Sequence, residues 1–232
     1  MYRSLDPEKV IATADKLRTR VEERFPDSSL LKLTIKLVKV TLAWRERAVE
    51  IGRPHWSLRV GVGFFVAVVL YALVAGAALL HLEWRLPDAL SLVQALEAAT
   101  NELVLIGAAV FFLMTAETRV KRKRALKALH ELRSLAHIVD MHQLTKDPDR
   151  LLRGGSDTAS SPRRPMPAFE LSRYLDYCSE TLSVIGKVAA IYAQNFDDEA
   201  ALAAVDEIEE LTAGLSRKIW QKLMILDAGQ PR

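Results

Sequence analysis

Val60–Leu80 reads VGVGFFVAVVLYALVAGAALL, and after a short connection Leu103–Ala116 reads LVLIGAAVFFLMTA. Neither stretch carries a charged side chain. A helix needs about 20 apolar residues to cross about 30 Å of hydrocarbon. The first stretch meets that length outright. The second, fourteen residues long, covers only about 21 Å at 1.5 Å per residue. Pro87-Asp88 upstream opens a helix, and Leu90, Val93, Leu96 and Ala99 continue an apolar pattern without a breaker. The spacing therefore predicts one helix running from Pro87 through the second apolar stretch. The expected fold class is an all-α membrane protein built on a two-span transmembrane helical hairpin. Cytoplasmic amphipathic helices and a C-terminal antiparallel helical hairpin complete it.

Working outward, the flanking charges set the orientation, because cytoplasmic flanks carry the excess of Lys and Arg. Lys39, Arg45, Arg47, Arg53 and Arg59 precede the first span, and Arg119, Lys121, Arg122, Lys123 and Arg124 follow the second. The connection from Glu83 to Glu102 holds Glu83, Asp88, Glu97 and Glu102 against Arg85. Both termini are expected in the cytoplasm of a cell bounded by a plasma (inner) membrane, which the chain crosses more than once. Trp56 and Trp84 flank the first span at interfacial positions. The formal charge of +3 is modest and its basic residues gather beside the spans. Anionic lipid is thus the expected partner, through Arg59, Arg119 and Lys121 to Arg124. Nucleic acid is not expected. The first 59 residues are polar, so a signal peptide is not expected either.

The soluble segments read as helices. Asp6-Pro7-Glu8 is an N-terminal cap signature, and Val10, Ile11, Ala14, Leu17 and Val21 form an apolar face closed by Pro26. Asp27-Ser28-Ser29 caps a second helix, which carries Lys32, Lys36 and Lys39 on one side and Leu30, Leu33, Leu37, Val40 and Trp44 mostly away from it. That basic face suits either a membrane surface or the solvated side of a bundle. Beyond the second span, Ala125, Leu129, Leu132, Ala136 and Val139 repeat at heptad spacing as far as about Leu144. Leu151–Pro167 reads as a linker rich in Gly, Ser and Pro. Leu171, Leu175, Cys178, Leu182, Ile185, Ala189 and Tyr192, then Ala201, Val205, Ile208, Thr212, Leu215 and Ile219, form the two seams of the C-terminal hairpin. The expected divisions are 1–55 (N-terminal helices), 56–118 (transmembrane hairpin), 119–147 (extension of the second span), 148–167 (linker) and 168–232 (C-terminal hairpin).

Candidate chemistry is sparse. His130, His137 and Asp140 are the weak metal candidates, with His142 pointing elsewhere. A metal site needs three or four converging ligands, and HExxH and CxxC patterns are absent, so no metal or cofactor is expected. Cys178 is the only cysteine and reads as a small core hydrophobe. The most telling polar residues lie in the second span. Glu97, Asn101 and Ala108 share a stripe at helical spacing with Val104 or Leu105, and Glu102 lies beside it. Ionisable groups at such depth usually face a bundle interior or a water path, so this stripe is expected to line a pore or a contact between subunits. Phe111 and Phe112 are expected nearer lipid or the first span.

The hairpin resembles the SLATT-type two-transmembrane effectors of bacterial conflict systems over residues 28–140. The resemblance is carried by Ala43-Trp44-Arg45-Glu46-Arg47-Ala48, by the paired spans with a short outer connection, and by Lys123-Arg124-Ala125-Leu126-Lys127-Ala128-Leu129-His130. It implies a homo-oligomer that breaches the membrane as a gated pore or membrane-disrupting effector. The alternative expectation is a membrane-anchored scaffold whose cytoplasmic hairpin binds a partner protein. A distant third is a membrane-tethered ribonuclease, since Arg124-x5-His130 matches the loose Arg-x4–6-His spacing of HEPN-type nucleases. Enzymatic activity is not the expectation.

Overall fold

The structure is a computed structural model that describes residues 4–52, 56–80, 89–148, 151, 159–160, 166–195 and 197–229. Among the described residues the helices with defined bounds are α1 (Pro7–Arg24), α2 (Ser29–Gly52), α3 (Trp56–Leu80), α4 (Ala89–Leu144), α5 (Ala168–Asn195) and α6 (Glu199–Ala228). No strand occurs among the described residues. They divide into two compact units, Met1–Gly52 with Arg124–Arg232 and, separately, Arg53–Lys123. Helix α4 belongs to both. The connection 81–88 and most of the linker 148–167 lie outside the described residues, as do Trp84, Pro87 and Asp88.

In the first unit the helix ends follow the capping chemistry of the sequence. The Asp6 carboxylate accepts from the Glu8 N–H at 3.0 Å, with Pro7 at the first helical position. Phe25 closes α1 by donating its N–H to the Val21 carbonyl at 2.8 Å, just ahead of Pro26. Ser28 Oγ accepts from the Leu31 N–H at 3.0 Å and caps α2. Asp198 does the same for α6, accepting from the Ala201 N–H at 3.1 Å. Each such cap contributes about 1 kcal/mol by satisfying a donor the helix leaves unpaired.

One continuous apolar cluster joins α1, α2, the 125–139 part of α4, α5 and α6. Val10, Ala14, Leu17 and Val21 bury the inner face of α1. Leu30, Leu33, Leu37 and Val40 do so for α2, leaving Lys32, Lys36 and Lys39 exposed. Thr34 and Thr41 are also buried, and their hydroxyls donate to the Leu31 and Leu37 carbonyls at 2.9 and 2.8 Å. Those internal bonds let a polar residue occupy a core position without a lost hydrogen bond.

Helix α5 is the centre of this unit. Every member of its expected seam is buried, from Leu171 to Tyr192. A second seam runs beside the first through Tyr174, Tyr177, Thr181, Val184, Val188 and Ile191, and these are buried too. Helices α6, α1 and α2 all pack on α5, which accounts for burial on more than one face. Phe25 stands edge-on to Tyr174 and Tyr177, with ring centroids 5.4 and 6.2 Å away. Arg20 bridges to Glu180 at the rim. Within the hairpin, Gly186 permits a close crossing: a Cβ there would lie 3.2 Å from Thr212 Oγ1.

The second unit holds α3 and the first part of α4. Among the described residues one helix is long and apolar enough to cross a membrane, the Ala99–Leu144 part of α4, and Val60–Gly76 of α3 is a shorter apolar helix. Their large apolar side chains lie open: Phe64 and Tyr71 on α3 and Leu103, Leu105 and Phe111 on α4 are each 68–77% exposed.

Candidate functional site

The α4 residues singled out by sequence fall on one uninterrupted helix. At 100° per residue, Glu97, Asn101 and Ala108 lie within an arc of about 40°, and Glu102 is about 100° further round. All four are exposed. Phe112 follows Ala108 by one turn and Phe111 flanks it, so both lie close to the line of this stripe. The stripe is thus polar at its N-terminal end and has the two aromatic rings towards the basic flank. The Arg119 guanidinium lies over the Phe112 ring, 5.2 Å from its centroid. Two hydroxyls in this stretch are satisfied by their own helix, Thr100 donating to the Leu96 carbonyl at 2.7 Å and Thr115 to the Phe112 carbonyl at 3.0 Å.

Arg119, Lys121, Arg122, Lys123 and Arg124 occupy less than two turns of α4 and leave it in all directions. A patch that grips one rod-like partner would concentrate its cations on one side. These cations instead surround the helix. Arg59 lies in α3, and its side chain is outside the described ones.

Further along α4 the histidines do not converge. His130 and His137 are seven residues apart, about 10.5 Å along the axis, and both are exposed. Among the described residues no group of three or more His, Cys, Asp or Glu side chains is placed to hold a metal. Arg124 and His130 leave the helix about 120° apart. Asp140 is instead engaged by Gln143, whose Nε2 donates to Oδ1 at 2.6 Å. His142 points the other way, to Ser29 Oγ at 3.2 Å on α2. Burial, with Lys146 nearby, holds His142 below its ordinary value.

The junction at the end of α4 was not legible as a site. Gln143 is 2% exposed, and its backbone carbonyl accepts from Lys222 Nζ of α6 at 2.6 Å. That carbonyl is among the last of α4, which the helix cannot pair, and a cation is favoured there. Half-burial pushes the Lys222 ammonium down, against the opposing pull of Asp147 and Asp140. The contact ties the end of α4 to α6, as the Arg133–Glu207 ion pair at 2.7 Å does about three turns earlier on α4. Cys178 is fully buried and its thiol is pushed up to about 12 by burial, so it carries no thiolate at neutral pH. Compared with family models, curated proteins and solved structures, the chain finds no match in any of the three.

Proposed function

We propose that this chain is an integral membrane protein of a plasma (inner) membrane, with α3 and the apolar part of α4 as two spans and both termini cytoplasmic. In this reading it self-associates into a gated pore or membrane-disrupting effector. The observation that carries it is the open apolar surface of the second unit, where Phe64, Tyr71, Leu103, Leu105 and Phe111 lie exposed. Surfaces of that extent are covered by lipid or by another protein. The cation ring at 119–124 supports a headgroup boundary below the second span. Glu97, Asn101 and Glu102 support an interior or aqueous face above it, since facing lipid costs roughly 2.5–3.5 kcal/mol per charged group at the span centre, and less near the interface where these residues lie. Phe111 and Phe112, at the inner end of the same stripe, would form the apolar constriction at which a pore gates by dewetting.

The test is single cysteines from Glu97 to Ala109, treated in intact membranes with an impermeant thiol reagent. Labelling that recurs every three to four residues into the span supports the pore. Labelling that stops at Glu102 on all faces removes it. The second reading, a membrane-anchored scaffold with a protein partner, is favoured by Trp220 and Met224, which stand 63% and 52% exposed one turn apart on α6. Reporter fusions at both termini and near Pro87 test the orientation common to both readings.

A further inference from the structure

We infer that the outer face of α6 centred on Gly214 is the contact surface for a second copy of this chain, paired antiparallel about a two-fold axis. The inference rests on the self-association proposed above and assigns it to a surface of the cytoplasmic unit. A groove of about 620 Å³ runs along this face beside Arg133 of α4. Its lining is spaced symmetrically about Gly214, acidic residues before it and basic or amide residues after it, with Glu210 and Lys218 at mirrored places. Glu207 and Glu210 lie seven and four residues before Gly214, and Arg217, Lys218 and Gln221 lie three, four and seven after it.

A two-fold axis through Gly214 exchanges position +n of one copy with −n of the other, as any isologous dimer does. Glu210 of one helix then meets Lys218 and Arg217 of its twin, twice over. Glu207 meets Gln221. A parallel pairing in register would set like charges together, so the charge order itself selects the antiparallel one.

Two further features fit. Gly214 at the axis removes the side chain where the helices cross, and a Cβ there would come no nearer than 3.9 Å to Arg217 Nη2. Glu210, Arg217 and Lys218 are exposed and, among the described residues, enter no ion pair within the chain. Glu207 alone is engaged, by Arg133. Exposed pairs are individually weak, so the contact relies on several of them closing around a near approach of backbones, and it weakens with salt.

The experiment uses the full chain in mild detergent with Gly214→Cys, which the open space at this position accommodates. Cys178 stays in place because it is fully buried. Under mild oxidation Gly214→Cys is expected to form a covalent dimer, whereas Asp206→Cys, exposed on the same helix, is not. Glu207→Cys and Gln221→Cys cross-link only when the two proteins are mixed. Arg217→Glu with Lys218→Glu lowers the Gly214→Cys dimer about tenfold or more, and adding Glu210→Lys with Glu207→Lys restores it. Cross-linking at Gly214→Cys no stronger than at Asp206→Cys overturns the surface, as does a dimer indifferent to charge reversal. Solution mass separates the two proposals: a multimer without Gly214 cross-linking retains self-association and rejects this face, whereas a monomer rejects both.

Discussion

Replacing Leu182 by Ala tests whether α5 is the keystone of a single core. Leu182 is fully buried, at the middle of the first seam. Three carbons are lost, about 2.4 kcal/mol at about 0.8 per carbon. The surrounding helices close only partly around the space, which brings the expected cost to about 3–5 kcal/mol. At 1.4 kcal/mol per factor of ten, amide protection in α5 should fall by roughly a hundredfold to a thousandfold or more. Hydrogen exchange of the full chain in detergent, read peptide by peptide, measures this without interference from the apolar helices. Because Val21 and Phe25 share the cluster with α5, α1 should lose protection in parallel. Ser183→Ala, next along the chain but exposed, should change stability by no more than about 0.5 kcal/mol. A fall below tenfold in α5 would refute the packing argument. A fall confined to α5 and α6 would show that the hairpin opens alone and that the second seam couples it weakly to α1 and α2.

Three further outcomes follow from local geometry. His142 titrates below its ordinary 6.5 because it is half-buried beside Lys146, so the unfolded chain binds its proton first. Stability is full above that ordinary value and falls as pH drops from it towards the folded one. His142→Gln should flatten the thermal midpoint between about pH 7.5 and about pH 5.5. Cys178 should resist maleimide in the native protein and react stoichiometrically in denaturant, since burial holds its thiol up to about 12; native labelling would place it elsewhere. Gly186→Val should overpack the crossing against Thr212 Oγ1, only 3.2 Å from the new Cβ, and cost about 1–3 kcal/mol. Paired with Thr212→Ala in a thermal melt, it should cost less than the sum of the two single changes.

The parts of this fold that were legible are those in which one helix has one environment. The first seam of α5 and the seam of α6 repeat at about 3.5 residues, and each named position is buried. The second seam of α5 was missed because it mixes Tyr174, Tyr177 and Thr181 with aliphatics, and because a hairpin needs only one face per helix. Two adjacent seams instead make a helix with neighbours on both sides. Thr34 and Thr41 were missed for a related reason. Their burial depends on hydroxyls turned back onto the Leu31 and Leu37 carbonyls, which no apolar period records. On α4, helical geometry alone carries the line of Glu97, Asn101 and Ala108 on to Phe112.

The junction of Gln143 with Lys222 depends on a register between helices seventy-nine residues apart. Lys222 reads in sequence as a cation suited to the end of its own helix, yet the carbonyl it meets ends α4. Local patterns report the medium around a helix: apolar on all sides at Val60–Leu80, ringed by cations at 119–124, apolar on one seam from Ala125. They do not report which turn of one helix meets which turn of another. The same limit applies to the face around Gly214. Its charge order was present in the sequence, but it became an argument only once α6 was seen to leave Glu210, Arg217 and Lys218 on its open side, beside a groove, with the opposite side committed to the core.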